Sequence, residues 1–316
     1  VSLLNQYHAD LSLILLDIVM PEMDGFEVLA IMNRNGWIQS IPVITISAET
    51  SSSYIEHAYD LGAADYISRP FDEKTVLRRV SNMLMLYTKQ KILEGMVTEQ
   101  IIDKEKNNFL MVEILSNIVE FRNGESGLHV LHIRVITEML LKKLVEKTDR
   151  IQLSLSDIAL IVNASALHDI GKISIPEEIL NKPGRLTPEE FEIMKTHTTQ
   201  GGQLLERIPQ MRELPFFTYA YDIAKYHHER WDGRGYPEGR KGDDIPLWAQ
   251  IVSIADVYDA LVSPRCYKKA FSFEVALGMI VSGECGVFNP NILACFREIE
   301  GKLRTLYGSG PERLYE

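Results

Sequence analysis

Six of the eight histidines fall between His129 and His228, and carboxylates stand at usable spacings around them. Glu125 and His129 are four apart, which on a helix puts both on one face, roughly 5–6 Å between Cβ atoms. His168 and Asp169 are adjacent, His197 follows, then the pair His227-His228, and Asp256 adjoins the apolar run 251–255. Imidazole with carboxylate and no thiolate suits a hydrolytic Fe, Mn, Zn or Ni site, not an iron–sulfur or structural zinc site. These eight groups exceed what one ion needs and fit a bridged di- or trinuclear cluster. Asp169, with two oxygens to share, is the best bridge. Taken alone, a His168-Asp169 pair could equally be a histidine hydrogen-bonded to an aspartate inside a helical core.

The elements that must position these groups read as helices. Ser154 and Asp157 form an S-x-x-D capping box. Ile158, Ile161, Val162 and Ser165 then repeat at helical spacing, and His168 continues the stripe. Gly171 reads as the stop of that helix, with Pro176 beyond it. Thr187-Pro188-Glu189-Glu190 starts a second helix, which carries Phe191, Met194 and His197. Residues 126–145, 220–228 and 248–261 supply further helices. From about residue 109 onward the chain reads as all-α.

Residues 13–16 are a continuous apolar run ending at Asp17; residues 42–46 end at Ser47, and residues 65–68 end at Arg69. Buried strands alternating with helices imply a parallel α/β sheet with functional groups at the strands' C-terminal ends. Between the two segments Val76, Val80, Met83 and Tyr87 form a partial heptad seam. It fades through residues 103–108 and resumes as a helix over 109–119. The expected organisation is an α/β domain over 1–75, a helical linker over 76–108 and an all-α domain over 109–316.

The bulk numbers restrict the function. A chain of 316 residues with 46% hydrophobic and 24% charged residues can bury two cores. A formal net charge of -11 argues against a nucleic-acid polymer or a membrane surface as partner, and an anionic substrate would need local cations or metal ions. Three cysteines without C-x-x-C spacing suit a reducing cytoplasm, and no apolar run approaches the roughly 18 residues of a membrane span.

Asp17-Ile-Val-Met-Pro-Glu-Met-Asp-Gly25 resembles the later part of a response-regulator receiver domain. The resemblance implies Asp17 as phosphoacceptor, Ser47 contacting the phosphoryl group, and Tyr66 as a switch aromatic. Arg69 stands where the family has lysine, and the family's first strand and acidic pair are not among these residues. His168-Asp169, His197, His227-His228 and Asp256 resemble the HD superfamily of metal phosphohydrolases. The run from His227 through Gly235-Tyr236-Pro237 to Gly239 resembles its HD-GYP subfamily, the cyclic di-GMP phosphodiesterases.

That resemblance implies metal ligands at Glu125, His129, His168, Asp169, His197, His227, His228 and Asp256, holding two or three divalent ions, iron or manganese. It implies Lys172 beside the reacting phosphate, Gly235, Tyr236 and Pro237 against the nucleotide, and Arg265 and Lys268 on its phosphates. The implied reaction is in-line hydrolysis of cyclic di-GMP to pGpG or GMP, with His168, Asp169 and Lys172 in the catalytic roles. The implied partners are a sensor histidine kinase, a diguanylate cyclase and a second copy of the chain. Alternatives are a silent cyclic-dinucleotide sensor, or a phosphohydrolase of another nucleotide. His132 and Asp259 are expected to pack behind the ligands, Asp259 orienting a histidine.

Overall fold

A computed structural model describes residues 1–122, 128–148, 151–264 and 270–308. The chain forms two compact units, Val1–Lys104 and Glu105–Glu316. Among the described residues no helix is long and apolar enough to cross a membrane.

In the first unit the elements run α1 (Ser2–Tyr7), β1 (Ile14–Asp17), α2 (Gly25–Arg34), β2 (Val43–Ser47), α3 (Ser52–Asp60) and β3 (Asp65–Ser68). The strands form one parallel sheet in the order β1-β2-β3, with Leu16 beside Thr45 and Thr45 beside Tyr66. Each strand is followed by a helix because parallel neighbours need a crossover. Leu16, Leu29, Met32, Val43 and Tyr66 share the buried core. Asp24 accepts from the Glu27 amide while the Glu27 carboxylate accepts from the Asp24 amide, which starts α2 at Gly25.

Helix α4 (Glu73–Arg122) runs 50 residues without interruption. The stretch 103–108, through which the sequence shows the heptad seam fading, lies inside this unbroken helix. That stretch is polar, but it holds neither proline nor glycine, and Gly95 is the helix's one glycine. An interior glycine costs only about 1 kcal/mol, too little to end a helix of this length. Near its C-terminus Ser116, Val119 and Glu120 turn inward.

The second unit continues with α5 (Leu128–Lys147), α6 (Leu155–Ser165), α7 (Glu177–Leu180), α8 (Pro188–Glu206), α9 (Pro215–Tyr226), α10 (Leu247–Val262), α11 (Phe273–Ser282) and α12 (Pro290–Gly308). Helix α5 buries Ile133, Ile136, Leu140 and Leu144 at helical spacing, and His129 and His132 extend the same stripe at its N-terminal end. The capping boxes at Ser154 and Thr187 form as their spacing predicts. Helix α9 begins at Pro215, ahead of the expected Ala220, since proline suits the first helical position and Phe216 and Phe217 pack on the core. It ends at Tyr226, so His227 and His228 lie at and beyond its end.

Ile133, Ile161, Ile223, Ile254, Tyr258 and Phe296 meet in one core. Leu141, wholly buried there, should lose about 2–5 kcal/mol of stability on Leu141→Ala, from lost burial plus the cavity left behind. Urea unfolding followed by helical circular dichroism measures it; a change within experimental error would mean that this core is not packed as described.

Candidate metal centre

Helix α6 ends at Ser165, three residues before His168, so Gly171 is not its stop. Instead Gly171 lies in the 3-10 turn Ile170–Ser174 and touches α8 backbone to backbone. A Cβ there would overlap the His197 carbonyl oxygen and stand 2.5 Å from the Gly201 nitrogen. Only glycine lets the His168-Asp169 turn lie against the helix that carries His197. Arg122, the last residue of α4, grips the same turn. Its guanidinium donates to the carbonyls of Lys172 (3.3 Å), Ile173 (2.6 Å) and Ile175 (3.1 Å), and the Asn181 amide donates back to the Arg122 carbonyl.

Five histidines of this unit are held by their Nδ1 atoms. His168 Nδ1 lies 3.0 Å from the Ser165 carbonyl, His197 Nδ1 2.7 Å from that of Met194, and His227 Nδ1 2.9 Å from that of Ile223. A ring that donates from Nδ1 presents its Nε2 lone pair outward, the form that binds a metal. His129 Nδ1 lies 2.7 Å from Asp259 Oδ2. Asp259 also receives His132 Nδ1 at 2.7 Å, the Ser263 hydroxyl at 3.0 Å and the Tyr307 hydroxyl at 2.6 Å. The pairing with His129 matches the orienting role expected of Asp259; Tyr307, on α12, has no local signal in the sequence.

The Nε2 atoms of His168, His197 and His227 converge on Asp169. Its Oδ2 takes the Lys172 ammonium at 2.6 Å and lies 3.2 Å from His168 Nε2. Its Oδ1 lies 3.3 Å from His197 Nε2 and 3.9 Å from His227 Nε2. Asp169 Oδ1 and these two Nε2 atoms are buried and make no hydrogen bond. Stranded polar atoms cost about 1–3 kcal/mol each, and a cation between them would satisfy all three. The residues therefore fit a metal. Asp169, His197, His227 and His228 offer ligand atoms within 4.8 Å of one another, and so do Glu120, His129, His168 and Asp169. Asp169 belongs to both groups.

Protonation follows from burial and neighbours. Burial, then the charge of His168, pushes His227 down to about 3. Burial, then the adjacent His227, holds His228 well below its usual range, and burial also lowers His197. For His129, burial is outweighed by the hydrogen bond and charge of Asp259, raising it to about 10. For Asp169, burial is outweighed by Lys172 and His168, and the carboxyl stays ionised.

The predicted residues thus separate. His129, His168, Asp169, His197, His227 and His228 come together, and Asp256 Oδ1 lies 3.8 Å from His129 Nε2. Glu125, Arg265 and Lys268 lie outside the described residues. Glu120 joins the cluster unforeseen; its signal was a carboxylate at the inward positions 116, 119 and 120 of an otherwise apolar face. In the loop after His228, Gly235 lies against the backbone of residues 228–230, where a Cβ would clash. The Tyr236 ring sits 4.7 Å from that of His228. The buried Glu229 carboxylate accepts the amides of Glu238 (2.7 Å), Gly239 (3.1 Å) and Arg240 (3.0 Å) and so shapes this loop. In the other unit, Asp17 accepts from Arg69 at 2.9 Å, and Ser47 is buried at the end of the neighbouring strand. Tyr66 is turned inward, its hydroxyl on the Glu49 carbonyl.

Comparison with known proteins gives two family matches. Residues 113–292 match the HD domain family, and residues 1–81 match the response regulator receiver domain. A probable cyclic di-GMP phosphodiesterase of Vibrio cholerae is 37% identical over 93% of this chain and 68% of its own length. The cyclic di-GMP phosphodiesterase response regulator RpfG of Xanthomonas campestris is 32% identical over 94% of this chain and 77% of its own. A 3′3′-cGAMP-specific phosphodiesterase of Vibrio cholerae is 37% identical over 67% of this chain and 38% of its own.

Two outcomes follow from the geometry. Gly171→Ala should strip most of the bound metal, measured per chain by mass spectrometry, while helical circular dichroism is kept; wild-type metal content would show that the close approach to α8 is dispensable. In the metal-free protein, unfolding exposes His197, His227 and His228, which then take protons near their ordinary value of 6.5, whereas folded His227 resists until about 3. The unfolded state binds more protons over that window, so stability should rise with pH from about 3 to 6.5. His227→Gln should flatten the rise in the urea midpoint between about pH 5 and 6.5; an unchanged slope would contradict the neutral assignment.

Proposed function

The chain belongs to the HD domain family, among the cyclic di-GMP phosphodiesterases that also carry a receiver domain, and from that membership we propose that it hydrolyses cyclic di-GMP at the Asp169 cluster. The observation that carries the reading is the convergence of three stranded polar atoms, Asp169 Oδ1, His197 Nε2 and His227 Nε2, in one buried place. Divalent ions held there, iron or manganese, supply the Lewis acidity that activates water and neutralises phosphoryl charge. Asp169, His197, His227 and His228 would hold one ion; Glu120, His129, His168 and Asp169, beside Asp256, a second. Glu125 is the candidate for a third.

The chain's own groups do the rest. Lys172, paired with Asp169 at 2.6 Å, keeps a cation at the edge of the cluster where a phosphate oxygen would gain charge. His129 is oriented by Asp259, which fixes which ring nitrogen faces the cluster. Tyr236 stands beside His228, its ring offers a stacking face for a guanine, and Gly235 and Pro237 are the candidate loop residues against the same nucleotide. Arg265 and Lys268 are the candidate phosphate clamps. Opening one phosphodiester yields pGpG; a second cut yields GMP. The enzyme works as a homodimer. Asp17, with Ser47 and Arg69, is the candidate acceptor for phosphoryl transfer from a sensor histidine kinase, and the Gly235-Tyr236-Pro237 loop is a candidate surface for a diguanylate cyclase.

Protein loaded anaerobically with iron or manganese should convert cyclic di-GMP to pGpG or GMP, resolved by chromatography. Asp169→Ala should lower the rate more than about 100-fold, since even outer partners of metal ligands are worth about 10–100-fold. Full activity in Asp169→Ala would move the chemistry elsewhere. Tight binding without turnover would make the chain a sensor, and preference for 3′3′-cGAMP over cyclic di-GMP would reassign the substrate.

A further inference from the structure

Helix α4 presents two faces. In its last third Val112, Ser116, Val119 and Glu120 turn toward the second unit's interior. The opposite face is exposed and keeps a strict seven-residue register. With Val97 at heptad position a, Gln90, Lys104, Met111 and Ile118 are also a, and Leu86, Leu93, Gln100, Asn107, Ile114 and Phe121 are d. All eleven are exposed, and seven of them are large and apolar, Phe121 at 85%. Apolar residues at a and d make the seam of a coiled coil, and about three to four heptads suffice to mark one. The seam fits the exposed residues better than the half-buried series Val76, Val80, Met83 and Tyr87.

We propose that this face, from Leu86 to Phe121, pairs with the same face of a second copy of the chain as a parallel, in-register coiled coil. The flanking e and g residues identify the occupant. In a parallel pair each g faces the partner's e five positions on. Lys89 then meets Glu94, Met96 meets Ile101, Asp103 meets Asn108, and Leu110 meets Leu115. Charge meets opposite charge, polar meets polar and apolar meets apolar. An antiparallel pair centred on the same seam sets Gln90 against Ile114 and Val97 against Asn107 in the core, and Asp103 against its own copy at the flank. In register, Gln90, Gln100 and Asn107 each face their own copy, and an amide is both donor and acceptor. A one-heptad slip sets Gln90 against Val97 and Gln100 against Leu93, which penalises the wrong alignment. Lys104 meets its own copy between Asp103 and Glu105, which offset the repulsion. The seam ends one residue short of Arg122, so pairing fixes the end of the helix that grips the His168-Asp169 turn.

Sedimentation of the full chain should give twice the 36.0 kDa chain mass. Leu93→Glu with Val97→Glu, both at exposed sites, should give the single-chain mass with helical circular dichroism retained. Under mild oxidation Leu93→Cys should cross-link to itself several-fold faster than Thr88→Cys, which lies off the seam. A single-chain mass for the wild type at every concentration would overturn the proposal. So would an unchanged mass for the double variant. Cross-linking that requires a mixture of Leu93→Cys and Met111→Cys would overturn it in favour of the antiparallel pair, and wild-type association only through a different protein would replace the occupant.

Discussion

The second unit depends on keeping one buried carboxylate ionised beside three imidazoles, His197, His227 and His228, that are kept neutral. Burial alone would protonate Asp169, and burial alone would discharge the histidines. Lys172 and His168 decide the first contest, and desolvation decides the second at His197, His227 and His228. The outcome is a negative oxygen facing uncharged lone pairs, an arrangement with no internal partner for its own polar atoms. Proteins avoid such clusters unless something positively charged belongs among them. The hydrophobic packing of α5, α6, α9 and α10 lies beside this cluster and buries its groups.

Local hydrogen bonds make that arrangement affordable. Three of the rings are tethered to carbonyls three or four residues back on their own turns, so each ring's tautomer is set by its own segment. His129 differs, because its tether is Asp259 on α10, and Asp259 is itself tied to Tyr307 on α12. One ligand's orientation therefore depends on three helices far apart in sequence.

That division also explains what the sequence disclosed. Signals carried within a few residues were legible: the capping boxes at Ser154 and Thr187, the existence of α5, the three parallel strands, and the histidine-rich constellation. Features made by distant segments were not. Gly171 looked like a helix stop because the stretch around it is local, whereas its neighbour is the His197 carbonyl. Glu120 sat in a helix whose inward face could not be told from its outward one, since both carry apolar residues. Glu229 has no local signal of its role, because the three backbone amides that converge on it come from residues 238–240.

The meeting of the Gly171 and His197 main chains has a further consequence. Side chains that touch can change rotamer, bend or yield by fractions of an ångström, and such contacts soften gradually as a protein is stressed. Two backbones pressed together have no such compliance. The turn that carries His168 and Asp169 and the helix that carries His197 must move as a single block or separate altogether. Heat, denaturant or a distant substitution would then act on this centre as a latch and not as a dial, leaving it assembled or leaving it open.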